Sequence, residues 1–182
     1  MESRSGGIRE LQDIRIAAII VGLQGGDKMK FQYNDGGRAE AGYKGTSGDC
    51  VTRAIAIATS KPYQEVYGAL NKLGKAERTG SRKKGKSSAR NGVYKGTYHK
   101  YLASLGWQWT PTMHIGSGCT VHLIDGELPG GRLIVSVSRH LTAVVDGVIN
   151  DTFDQQRNTL IVEDGVQRFA GRCVYGYWTQ SR

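Results

Sequence analysis

The sequence predicts an α+β fold, with helices in its first part packed on an antiparallel sheet formed by its second. Two observations carry this reading. Between Asp49 and Gly106 apolar residues recur at helical spacing, whereas from Arg132 onward they alternate or run in short β-branched stretches between turn signals. A third bounds it: 182 residues with 38% hydrophobic and 23% charged side chains suit a single globular domain with a substantial core.

The elements follow in order. Residues 1–28 read as an N-terminal extension, with four acidic and four basic residues around the apolar run "IAAIIVGL". It is either an appended strand or helix or sequence carried ahead of a start at Met29. The run is far shorter than the ~20 apolar residues that cross a bilayer, and its flanks make a poor signal peptide. No membrane partner is expected. Residues 29–182 then form one domain.

A helix should open at Asp49, whose side chain suits a cap, with Val51, Ala54, Ile55 and Ala58 on its apolar face and small residues elsewhere that allow close packing. Such a helix is central. A second should begin at Pro62 and run to Gly74, presenting Val66, Ala69, Leu70 and Leu73. "ERTGSRKKGKSSARNG" has no periodicity and reads as an exposed loop. A third helix, "TYHKYLASLG", ends at Gly106. Beyond the glycine-rich loop "GSGCTVHLIDGELPGG", strands are expected over "RLIVSVS", "HLTAVV", "VINDTF" and "RCVYGYWT".

Charge and cysteine usage narrow the setting. Of the net +9, the segment from Lys75 to Lys95 alone carries +7, with eight Lys/Arg against one Glu. Three widely spaced cysteines, Cys50, Cys119 and Cys173, with no CxxC pair, argue against a disulfide scaffold and for a reducing, cytoplasmic setting. "HIGSGCTVH" offers His114, Cys119 and His122 as soft ligands, but their spacing fits no standard pair. No metal and no cofactor is assigned.

The chemistry emerges from a hairpin. If Asp146-Gly147 is a two-residue turn, Val145 faces Val148, His140 faces Phe153 and Asp151 faces Thr142. His140 and Asp151 then lie on one face as diagonal neighbours, ~7–8 Å apart at the backbone and within side-chain reach, while Asn150 points the other way. A histidine beside a carboxylate is how an imidazole is oriented and its cation stabilised. Cys50, in the first turn of a helix, feels the positive end of the helix dipole, and a nearby imidazolium lowers its pKa further.

A cysteine opening a helix, followed by histidine and acid on successive later strands, resembles the papain-like cysteine peptidase superfamily. The similarity spans about Met29 to Trp178. It is closest to the compact bacteriocin-processing and cell-wall peptidase branches, where Asp-Cys opens the helix and a His-strand-turn-strand-Asp unit follows. Here these elements read "GDCVTRAIAIAT" and "RHLTAVVDGVINDTFD". The chain is also similar to a group of phage and bacterial proteins of this size, a resemblance that brings no assigned function. The match implies a papain-like fold, a protein or peptide substrate, Cys50 as nucleophile, His140 as general base and then acid, and Asp151 as orienting group. In the family a glutamine oxyanion donor usually stands a few residues before the cysteine; this chain has Lys44 there. The backbone N–H of Cys50 with Asn34, Gln32 or Ser47 could serve instead, and Asn34 is taken as the candidate.

A rival reading comes from the basic segment. A catalytically inactive papain-like module, phage-encoded, could use Arg82, Lys83, Lys84 and Lys86 to hold nucleic acid or an acidic host protein, with Tyr94, Tyr98 and Tyr101 stacking on bases. Those tyrosines also recur at the spacing by which a helix buries one face. Peptidase, isopeptidase, ester hydrolase and acyl transferase share one triad, and the sequence ranks neither these nor the oligomeric state.

Overall fold

The computed structural model describes residues 28–80, 85–157, 160–163 and 166–180. The expected extension therefore lies outside the described residues, save Lys28. The fold is mixed α+β. Helices α1 (Cys50–Thr59), α2 (Tyr63–Lys75) and α3 (Lys95–Ser104) follow a short strand β1 (Lys30–Tyr33). They precede β2 (Trp107–Pro111), β3 (His122–Leu123), β4 (Arg132–Val137), β5 (His140–Val145), β6 (Val148–Asp151) and β9 (Arg172–Gln180). These strands form one sheet in the order β1-β6-β5-β4-β9-β2, with β3 paired to the start of β9. A separate hairpin joins β7 (Leu160–Glu163) to β8 (Val166–Phe169). Within the large sheet β1 pairs with β6 in parallel, and the other pairs are antiparallel.

Consecutive residues of "RLIVSV" and "HLTAVV" are buried, Thr142 included, because both faces of these strands are covered and strict alternation is not required. On one face Ile134, Leu141, Ala143 and Trp178 pack with the helices. On the other Leu133, Val135, Val137, Val144, Ile149 and Val174 pack with Met29 and Leu123. Burial of the cluster drives the fold at ~25 cal/mol per Å² of apolar surface.

Helix α1 is the central helix anticipated. Its residues Val51 to Ala58 are all buried, and the alanines let it sit close to β5, β4 and α2. Arg132 ties down its far end, donating from Nε to the Ala58 carbonyl at 2.7 Å and from Nη2 to that of Ile57. The last carbonyls of a helix lack intrahelical partners, and a guanidinium supplies them.

Several expectations need correction. Asp49 stands at the cap position without capping, because its carboxylate is taken by other partners described below. Gly74 does not stop α2; it lies inside the last turn against the Ser87 carbonyl, where a Cβ would collide with backbone. Helix α3 starts at Lys95, two residues ahead of the expected start. The strands β1, β2, β3, β7 and β8 were not foreseen.

The basic segment is not simply an exposed loop. Ser87 and Ala89 are buried, the Ser87 N–H donates to Glu77 at 2.9 Å, and the Ala89 N–H donates to Asn71 at 2.9 Å. Thr52 on α1 donates to the Ala89 carbonyl at 2.8 Å, pinning residues 85–94 to the helix layer. The cysteines correct the reading of a chain without disulfides: Cys119 and Cys173 are bonded, with Cα atoms 5.8 Å apart. Their 54-residue separation along the chain is closed by the pairing of β3 with β9, which sets His122 beside Cys173. The expectation of a reducing compartment loses that support. Among the described residues no helix is long and apolar enough to cross a membrane.

Candidate active site

The start of β5, the end of β6 and the start of α1 meet at one end of the sheet. The β5–β6 register pairs Val145 with Val148, Val144 with Ile149 and Ala143 with Asn150, as the turn geometry predicts. It continues to the predicted side-chain contact: His140 Nε2 lies 2.7 Å from Asp151 Oδ2. Phe153, expected opposite His140, packs its ring against the imidazole with centroids 5.4 Å apart.

Cys50 is the first residue of α1 and the one free cysteine. Its thiol lies beside the His140 side chain and the Leu141 backbone N–H, both of which favour its anion. Because Nε2 faces Asp151, the ring nitrogen left for Cys50 is Nδ1. Burial works against a thiolate here. The His140 hydrogen bond, the Leu141 N–H and the positive charges of His140 and Arg53 outweigh it, and the Cys50 pKa lies below the ordinary thiol value. Burial likewise disfavours a charged imidazole. The Asp151 and Cys50 hydrogen bonds reverse that, and His140 is pushed up to about 9. Asp151, which burial alone would raise, is held down by the hydrogen bond and charge of His140. These shifts favour the thiolate of Cys50, the imidazolium of His140 and the carboxylate of Asp151.

Behind the triad lies a buried ionic network that the sequence reading missed. Asp49, wholly buried, pairs with Arg53 one turn along α1, with Arg38 Nε at 2.9 Å and with the Tyr63 hydroxyl at 2.6 Å. Arg53 reaches on to Asp151 at 3.5 Å. The i,i+4 spacing of Asp49 and Arg53 was the available signal, since such residues are neighbours on a helix surface. Reading Asp49 as a cap hid it.

Cys50 and His140 open on a cleft of about 670 Å³. Its walls include Ser47 and Gly48 before α1, Asn91 to Val93 from the basic segment, Tyr98 on α3, Arg139 in the β4–β5 turn, Phe153, and Tyr175 on β9. Gly48 abuts Asn91 so closely that a Cβ would lie 3.1 Å from the Asn91 carbonyl oxygen. The basic segment is therefore one wall of the cleft.

The oxyanion candidate Asn34 is not in this cleft. It lines a separate cavity with Asn150, to which its amide donates at 3.2 Å, while its carbonyl accepts from the Gly36 N–H at 2.9 Å. Asn34 follows the β1–β6 ladder to the side where Asn150 points, away from Asp151. Gln32 sits within β1 at the sheet edge. Of the three donors considered, Ser47 alone lines the cleft, and its hydroxyl is buried without a hydrogen-bond partner among the described residues.

Arg82, Lys83 and Lys84 lie outside the described residues, and the Lys86 ammonium donates to the Lys75 carbonyl at 2.7 Å. Tyr98 and Tyr101 are buried in the helix core rather than offered for stacking; Tyr94 is exposed. Cys119 is consumed by its disulfide, and His122 faces Glu127 at 3.3 Å. No protein-family model, curated protein or solved structure matches the chain.

Proposed function

We propose that the chain is a cysteine hydrolase of papain-like architecture, a peptidase or isopeptidase, acting by acyl transfer through Cys50, His140 and Asp151. One observation carries the reading: His140, held through Nε2 by a buried carboxylate at 2.7 Å, lines an open cleft beside a helix-start thiol. In the reaction the Cys50 thiolate attacks the substrate carbonyl carbon, and the C=O electron pair moves onto oxygen. As the tetrahedral intermediate collapses, His140 gives its Nδ1 proton to the leaving amine, and a thioester remains on Cys50. His140 then takes a proton from water, the hydroxide displaces Cys50, and the acid product leaves with thiolate and imidazolium restored.

Asp151 fixes the imidazole's orientation and stabilises its cation. The Cys50 N–H, at a helix start where amides lack intrahelical partners, is the first oxyanion donor, and the Ser47 hydroxyl, buried at the cleft wall without a hydrogen-bond partner among the described residues, is the second. Brief treatment with iodoacetamide at about pH 7, where an ordinary thiol is mostly protonated, followed by peptide mapping, tests the assignment. Modification should fall on Cys50 and vanish in Cys50→Ala, and it should slow by at least tenfold in His140→Ala. Equal rates in His140→Ala and the parent would defeat the proposal.

A further inference from the structure

The charges around the cleft do not sum to zero. Cys50 and His140 cancel as thiolate and imidazolium, and behind them Asp49 and Asp151 cancel Arg53 and Arg38. Two cations of the lining have no acidic partner among the described residues, Lys95 at the start of α3 and Arg139 in the β4–β5 turn. Both are exposed, and no Asp or Glu stands among the described lining residues. Lys95 is steadied by the Trp109 ring, 5.2 Å from its ammonium, a contact that leaves its charge intact.

Arg139 has a second peculiarity. Its backbone is left-handed, with φ of 58°, a conformation that Gly or Asn adopts more readily than a residue with a long side chain. It occupies the two-residue turn between Val137 and His140, so this backbone sets where the guanidinium stands relative to the catalytic imidazole. Strain of this kind gathers at ligand clamps. Beside the polar Ser47, Asn91 and Ser136, much of the remaining wall is apolar or aromatic, from Val137, Leu141, Tyr98, Phe153 and Tyr175. Low-dielectric walls concentrate the field of the two cations inside the cleft.

We infer that the cleft selects substrates bearing a carboxylate close to the reacting carbonyl, as in an acidic peptide, with Arg139 as principal and Lys95 as secondary recognition residue. The inference rests on Cys50 being the nucleophile. A planar guanidinium matches a carboxylate with two parallel hydrogen bonds, whereas Lys95 acts as a point charge. The apolar walls take the uncharged remainder of the peptide.

The test compares Cys50 alkylation by iodoacetate, which carries a carboxylate, with alkylation by iodoacetamide, its neutral isostere. The ratio of the two rate constants isolates recognition of charge, because any change in thiolate nucleophilicity enters both. Relative to the parent, the iodoacetate to iodoacetamide ratio should fall about 2- to 5-fold in Arg139→Ala, the range expected of one exposed ion pair. It should fall less in Lys95→Ala and most in Arg139→Glu, and raised salt should compress these differences. Ratios unchanged across the variants and indifferent to salt, with Cys50 still alkylated, would overturn the charge selection and leave the nucleophile standing. Absence of Cys50 alkylation by either reagent in the folded parent would remove the nucleophile, and the inference with it.

Discussion

His140 stands between two partners, and its protonation decides both halves of the proposed reaction. Cys50 becomes thiolate as pH rises through its lowered pKa, and His140 loses the proton owed to the leaving group as pH rises through about 9. Turnover should therefore follow a bell, its acidic limb below the ordinary thiol pKa and its alkaline limb near about 9, read from kcat/KM against pH. A single alkaline rise at the ordinary thiol value would contradict the ion pair. Ser47→Ala should lower kcat by ~10²-fold while leaving KM nearly unchanged, as loss of an oxyanion donor does; an equal change in KM would assign Ser47 to substrate binding. At this scale the sequence revealed the His140–Asp151 contact, because period-two alternation and one tight turn determine it. It did not reveal the roles of Asp49 or Asn34. Their side chains are committed by Arg38, Tyr63 and Asn150, partners that only the folded chain brings near.

Among the elements, α1 and α2 were legible to within a residue or so because their apolar spacing is local. Strand β2 was not, since its identity depends on pairing Trp107–Pro111 with β9, some seventy residues downstream. Strand β1 was hidden similarly: it lies at the sheet edge with all four side chains exposed, so burial left no pattern to read. The packed stem 85–94 escaped because it is held by individual polar contacts, from Glu77, Asn71 and Thr52, which have no period. Its seat on α2 gives a prediction. Gly74→Ala should destabilise the protein by about 2 kcal/mol, since added volume must displace the Ser87 backbone. The urea midpoint should fall, and amide exchange should quicken over residues 85–92 more than in β4 or β5. Uniform quickening would show that Gly74 supports the fold at large rather than the stem.

On the scale of the molecule, the sheet is a layer clothed on both sides, and the Cys119–Cys173 bond fastens part of that clothing to β9. Closing a loop of 54 residues restricts the unfolded chain, and disulfides of this kind contribute about 2–4 kcal/mol. Dithiothreitol should lower the melting temperature while iodoacetamide, applied after its removal, still reaches Cys50 fastest; loss of Cys50 reactivity on reduction would mean that the cleft itself depends on the bond. The general α+β layout was legible from the order of textures along the chain, but the bond was not, because spacing alone cannot tell two distant cysteines from two adjacent ones. The wall formed by residues 91–93 belongs to the connection between α2 and α3, whereas the nucleophile and its partners belong to α1, β5 and β6. One wall of the cleft thus resides on a stretch of chain separate from the groups that react, whereas Arg139 adjoins His140. Variation in the α2–α3 connection can retune what the cleft accepts without disturbing the groups that react, which makes that connection the natural place for such a scaffold to diversify, or for an engineer to exchange one preference for another.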